Sequence, residues 1–72
     1  MAKIKIEKIE DETEREILQL IEDEGKCSLG EILMKLQISN RNGYRYLNSL
    51  LDKRWISNTE NPPYLTLKVD LE

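Results

Sequence analysis

Only Gln37 and Ile38 separate Leu36 from Ser39, and this short gap joins two segments that each open on a serine suited to cap a helix. In the first, the Ser28 hydroxyl and the Glu31 carboxylate have capping-box spacing, and Cys27 and Ile32 occupy the positions of a hydrophobic staple. Ile32, Leu33 and Leu36 supply the face that this helix buries. Ser39 stands as N-cap of the next helix. Two helices with so little chain between them must turn tightly against each other, and everything else in the chain has to pack around that corner.

Upstream, "DETEREILQLIEDEG" also has helical spacing. Ile17, Leu18, Leu20 and Ile21 form one stripe, Thr13 and Glu16 match a capping box, and Gly25 is placed to end the helix. The carboxylates of this segment are expected outside the apolar stripe, on a solvated face. Before it, "KIKIEKI" sets Ile4 and Ile6 against Lys3, Lys5 and Glu7, the alternation of a half-buried strand, with Ile9 out of phase. "KCS" leaves room for a very short strand. Downstream, "WIS" and "YLTLKV" are strand-like, the second placing Leu65, Leu67 and Val69 opposite Tyr64, Thr66 and Lys68. Turn and breaker residues fill "NTENPP" between them, so the pair reads as a β-hairpin. The predicted order is strand, helix, short strand, helix, helix, hairpin: an N-terminal strand or arm over 1–12 and an α+β domain over 13–70. The final Leu71 and Glu72 look like a vector-derived linker remnant and are expected to carry no function.

Seventy-two residues are near the lower limit at which one core stabilises a chain without staples, and leave little room for a large buried active-site cavity. One cysteine and no histidine exclude an intrachain disulfide and the usual structural zinc sites, so the core must hold by packing alone. Cys27 has only Lys26 as a basic neighbour in sequence and reads as a small core residue, not a reactive thiolate. No apolar run approaches the ~20 residues of a membrane span, and the N-terminus lacks the apolar block of a signal peptide, which together suggest a cytoplasmic chain. With no histidine base and no glycine-rich phosphate loop, neither an enzyme nor a cofactor or metal site is expected.

The stretch "SLGEILMKLQISNRNGYRYLNSLLDKRWIS" resembles the centre of a winged helix-turn-helix domain, in which a helper helix, a turn and a recognition helix lead into a two-stranded wing. The likeness is to winged helices of the DeoR and MarR type and to the C-terminal modules of RecG-like ATP-dependent helicase-related and Fic-family proteins. It covers roughly residues 13–69, and it implies a three-helix winged helix-turn-helix with a small antiparallel β-hairpin wing. Two positions depart from the family pattern. Gly43 stands where Val or Ile is usual, facing the helper helix, at a cost of about 1 kcal/mol relative to Ala. Either the two helices approach closely there, or Tyr44 and Tyr46 turn inward to fill the space. Arg54 stands where the family commonly has a glycine closing the recognition helix.

The resemblance implies binding of double-stranded DNA, and the charge distribution suits it. Residues 39–54 carry Arg41, Arg45, Lys53 and Arg54 against Asp52, a net +3, while the whole chain is −3. Most of the acid lies between Glu7 and Glu24, behind the implied DNA-facing side, where screening lets it coexist with a phosphate-seeking face. The family's docking mode places Asn40, Arg41, Tyr44 and Arg45 toward base edges, where Arg suits guanine and Asn suits adenine. Ser39 and Asn42 would meet phosphates at the first turn, and Lys53 and Arg54 would hold the backbone at the far end. Such a module would serve as a transcription regulator or as the DNA-targeting domain of a larger protein.

Blander readings stand beside this one. Tyr44 and Tyr46 suit packing better than base stacking, and Trp55 suits anchoring of the wing. The wing offers Asn58, Thr59 and Asn61 but carries Glu60 and no basic tip, so it is expected to contribute little, with Pro62 and Pro63 stiffening the hairpin. The rival function is a protein-interaction or dimerisation module without DNA binding, favoured by the sequence pI near 5. What separates the two is whether Arg41 and Arg45 stand free or are consumed by the acidic first helix. The N-terminal strand could pair with "YLTLKV" within one molecule or across a two-fold axis in a homodimer.

Overall fold

The computed structural model describes residues 2–72. Met1, the first residue of the expected N-terminal arm, lies outside the described residues. Three helices, α1 (Glu12–Glu24), α2 (Leu29–Leu36) and α3 (Asn40–Asp52), pack with a small antiparallel sheet in an α+β fold. The N-cap of α1 is Asp11, not Thr13: its carboxylate accepts from the amides of Thr13 at 2.8 Å and Glu14 at 3.1 Å. Aspartate wins this position because it satisfies two orphan amides and places a negative charge at the positive end of the helix dipole. Gly25, at φ 82°, ends the helix and donates its amide to the Ile21 carbonyl. At the start of α2, the Ser28 hydroxyl accepts from the Glu31 amide at 3.2 Å, and Cys27 and Ile32 are both fully buried, as the staple requires.

The corner between α2 and α3 is closed by Gln37 in the left-handed region, φ 55°, and by the Ile38 amide donating to the Leu33 carbonyl at 3.0 Å. Ser39 then caps α3, its hydroxyl accepting from the Asn42 amide at 3.3 Å. The chain leaves α3 through Arg54, also left-handed at φ 63°, which accounts for the preference for glycine at such a position.

The three-stranded sheet has the order β2-β4-β3, all antiparallel, with β2 (Cys27–Ser28), β3 (Ile56–Asn61) and β4 (Tyr64–Leu67). The "NTENPP" turn is shorter than expected: β3 runs to Asn61, with a register shift between Ser57 and Asn61, and only Pro62 and Pro63 separate it from β4. A second sheet pairs β1 (Ala2–Ile4) in parallel with β5 (Val69–Leu71). The pairing is intramolecular, but β1 joins Val69–Leu71 beyond the hairpin instead of adding a strand to it. The expected N-terminal strand stops at Ile4, and a single 3₁₀ turn over Ile6–Lys8 changes the phase, so the out-of-phase Ile9 is the residue that reaches the core at 5% exposure. Leu71 and Glu72 belong to this arrangement: the Glu72 amide donates to Ile4, and its carbonyl accepts from Ile6.

The core gathers Ile17, Leu18 and Ile21 of α1, Cys27 of β2, Ile32 of α2 and Leu50 of α3, all without solvent exposure. Leu47, Ile56 and Leu65 extend it, while Trp55 packs at its edge and accepts the Lys68 amide on its carbonyl. Gly43 faces α2, and a Cβ there would stand 2.1 Å from the Leu33 Cδ2, so the Leu33 side chain occupies the space beside it. Tyr44 is largely exposed, so it does not fill that space. No helix among the described residues is long and apolar enough to cross a membrane.

Burial pushes the Cys27 thiol up, the nearby Glu31 and Glu24 carboxylates push it the same way, and Lys35 opposes them. The reactive thiolate is therefore scarce at neutral pH, and the sulfur is covered. Native protein at pH 7.5 is expected to react with iodoacetamide at least ~100-fold more slowly than the denatured chain, as measured by mass spectrometry. Comparable rates would show that β2 opens readily.

Candidate nucleic-acid interface

Helix α3 buries Gly43, Leu47 and Leu50 against the core. Its opposite side is set by the 3.6-residue period, and Arg41, Arg45, Asn48 and Asp52 follow one another there at spacings of three and four. All four are exposed, and Tyr44 flanks the row at 56% exposure. Asn40 and Asn42 lie on the first turn, also exposed, beside the Ser39 cap. Thus Ser39, Asn40, Arg41, Asn42, Tyr44 and Arg45 are brought together on the first two turns of one helix. The row ends in an acid, since Asp52 occupies its last position.

Neither Arg41 nor Arg45 has an ion-pair partner among the described residues. Arg45 lies only against the ring of its neighbour Tyr46, 5.5 Å from the centroid. Two carboxylates of α1, Glu14 and Glu24, pair with lysines. Glu24 takes the Lys35 ammonium at 2.6 Å, and this hydrogen bond, with the attraction of the charge itself, raises the Lys35 pKa.

Lys53 does not join the candidate face. Its ammonium donates to both oxygens of Glu14, at 2.8 and 2.9 Å, and stands 4.7 Å from the centre of the Trp55 ring. The Ser49 hydroxyl donates to the same carboxylate at 3.1 Å. Glu14 is 4% exposed, which corrects the expectation that every carboxylate of the first helix lies on a solvated face. A buried carboxylate must be paired, and the nearest cation at the end of α3 is drawn away from the exposed side to meet it. The pair sits beside an open cleft of about 450 Å³ where α1 begins and α3 ends. Arg54 follows, exposed and without an ion-pair partner among the described residues, but at the opposite end of α3 from Arg41. The thirteen residues of α3 span roughly 20 Å.

The hairpin carries no unpaired cation. Lys68 pairs with Glu60 across it, and Lys26 at the foot of β2 lies over the Tyr64 ring. Between α3 and the hairpin runs an uncharged cleft of about 220 Å³, lined by Tyr44, Asn48 and Leu51 on one side and Asn58 and Pro63 on the other. Asn48, which the sequence reading left out of the candidate face, stands on it three residues from Arg45 and seven from Arg41, a spacing visible in the sequence. No protein-family model, curated protein or solved structure matches the chain. The reading of this face therefore rests on its geometry and chemistry.

Proposed function

We propose that the chain is a winged helix-turn-helix domain that binds double-stranded DNA by laying α3 in the major groove, with the β3–β4 hairpin as its wing. The observation that carries this reading is the pair Arg41 and Arg45, exposed on the side of α3 opposite the core and left unpaired while lysines neutralise carboxylates of α1. Two guanidinium groups one turn apart can bond guanine edges bidentately or clamp successive phosphates. Asn40 and Tyr44 border them with an adenine reader and an apolar ring. The order of elements supports the assignment: two helices at a tight corner, followed at once by a hairpin whose inner strand pairs with a short strand before the corner. The role is positioning or regulation, with the chemistry of any parent protein located elsewhere.

The test is an NMR titration of labelled protein with a random duplex of about 15 base pairs, long enough for the few base pairs one helix reads. Shifts concentrated at residues 39–48 that weaken as salt rises are expected. Arg45→Ala is expected to weaken binding about 10-fold, in line with the loss of a charge-assisted contact, while leaving the remaining spectrum in place. Unchanged affinity in that variant would remove the reading. A second reading, a protein-interaction module, is favoured by one set of observations: the net charge of −3 and the hairpin's internally neutralised lysine. It becomes the leading one if no shifts occur even at low salt.

A further inference from the structure

Helix α3 carries its exposed charges in an order that its own dipole disfavours. Arg41 stands in the first turn, where the free amides repel a cation, and Asp52 closes the last turn, where the free carbonyls repel an anion. The first turn holds no acid and the last turn no base. Neither Arg41 nor Asp52 has an ion-pair partner among the described residues, so nothing within them compensates for this order.

The spacing of the row shows what would. Arg41, Arg45, Asn48 and Asp52 follow one another at intervals of four, three and four residues, so the row reads the same from either end. Laid antiparallel against a second copy of α3, with a two-fold axis level with the midpoint between Arg45 and Asn48, it sets Arg41 opposite Asp52 of the second copy and Arg45 opposite Asn48. Each contact then occurs twice, which is the self-complementarity that a closed two-fold interface requires. Guanidinium meets carboxylate at both ends, and the inner guanidinium donates to the asparagine amide oxygen. Antiparallel dipoles favour the same arrangement: each Asp52 comes level with the amino end of the other helix, and each Arg41 with its carboxyl end. Tyr44, 56% exposed, and the partly buried Leu51 lie seven residues apart on one flank of the row. The same axis brings Tyr44 beside Leu51 of the second copy.

The acidic surface of α1 fits the row less well. Glu12, Glu16 and Asp23 are exposed along one side of α1, but in either direction of docking Asp52 would meet an acid, Glu12 or Asp23. Such a head-to-tail contact would also fail to close.

We propose that α3 pairs antiparallel with α3 of a second copy through this row, forming a weak two-fold dimer that covers Arg41 and Arg45. The dimer goes beyond the DNA-binding reading and does not rest on it. Where that reading holds, the dimer is autoinhibitory, because a chain paired in this way has no α3 face left for a duplex.

The experiment is a dilution series of the labelled 72-residue chain without DNA, followed by NMR shifts and translational diffusion. Two exposed ion pairs and a small contact area point to a dissociation constant on the order of 0.1–1 mM, with concentration-dependent shifts centred on residues 41–52. Arg41→Asp and Asp52→Arg each make both end contacts repulsive, and each is expected to weaken self-association at least ~10-fold. Mixed in equal amounts, the two variants are expected to associate as wild type does, because every end contact in the mixed pair again joins arginine to aspartate. Both substitutions are at exposed positions, and the spectra of the variants check that the fold is kept. Wild type that stays monomeric through the series overturns the proposal, as do a mixture that associates no better than its components and species larger than a dimer. No duplex is present, so loss of the dimer leaves the DNA-binding reading standing, and absence of DNA binding leaves the dimer standing.

Discussion

Lys53→Ala is expected to lower the thermal unfolding midpoint by roughly 8–16 °C, corresponding to a loss of about 2 kcal/mol in a domain of this size. The reason is what remains behind. Glu14 is 5% exposed at its side chain, whereas Lys53 is 42% exposed, so removing the lysine strands a carboxylate inside with only the Ser49 hydroxyl as partner. A fully enclosed pair broken in this way costs about 3–5 kcal/mol, and the water that reaches the Lys53 end reduces that figure. Removing the other partner is milder. In Glu14→Gln the amide keeps the shape and the hydroxyl contact, and the lysine swings into solvent, for a loss within about 1 kcal/mol. Thermal denaturation of both variants at neutral pH tests the asymmetry, and equal shifts would show that the pair contributes nothing beyond packing.

Gly43→Val should be nearly as damaging, with a loss of about 2–3 kcal/mol and a midpoint lower by roughly 8–24 °C. A Cβ at this position meets the Leu33 Cδ2 at 2.1 Å and the Leu33 Cγ at 3.4 Å, with the Ile38 Cγ2 at 4.0 Å. Alanine carries that Cβ and meets all three atoms, but only the 2.1 Å approach is a clash, and the other two are ordinary van der Waals contacts. Leu33 is half-buried and can rotate its terminal methyl aside, and the roughly 1 kcal/mol of helix propensity gained over glycine offsets the disturbance, so Gly43→Ala is expected to be close to neutral. Valine adds two methyl groups that one rotation cannot clear, and α2 and α3 must then move apart. A valine variant as stable as wild type would mean that the two helices are not held at this separation. The change acts on the helix corner, so DNA binding by the valine variant reports whether the pose of α3 matters to that face.

Much of the fold was legible because it is local. The serine caps at Ser28 and Ser39, the left-handed glycine at Gly25 and the alternation of β4 are properties of a few consecutive residues, and each appears where its chemistry places it. Asp11 displaced Thr13 as a cap through a competition between neighbours that both offer side-chain oxygens, and the carboxylate makes the two bonds. Ile9 looked out of phase because a period of two cannot describe a chain that leaves its strand for a 3₁₀ turn. Glu14 could have been found: it stands three, four and seven residues before Ile17, Leu18 and Ile21, on the buried stripe itself. What hid it was the assumption that an acid in an acidic run faces water.

The arginine face of α3 follows from sequence alone, since helical period and the positions of Leu47 and Leu50 leave Arg41 and Arg45 no way inward. Which cations remain on that face does not. Lys53 is separated from Glu14 by 39 residues, and Lys68 faces Glu60 only because the hairpin pairs as it does, so both are withdrawn by contacts that exist only in the assembled molecule. The same holds for the uncharged cleft, whose walls come from α3 and the hairpin, and for the parallel pairing of β1 with β5 across nearly the whole chain. Local sequence sets the elements because caps and periodicity act over one or two turns; charge neutralisation and surface shape depend on distances between elements, which packing alone decides.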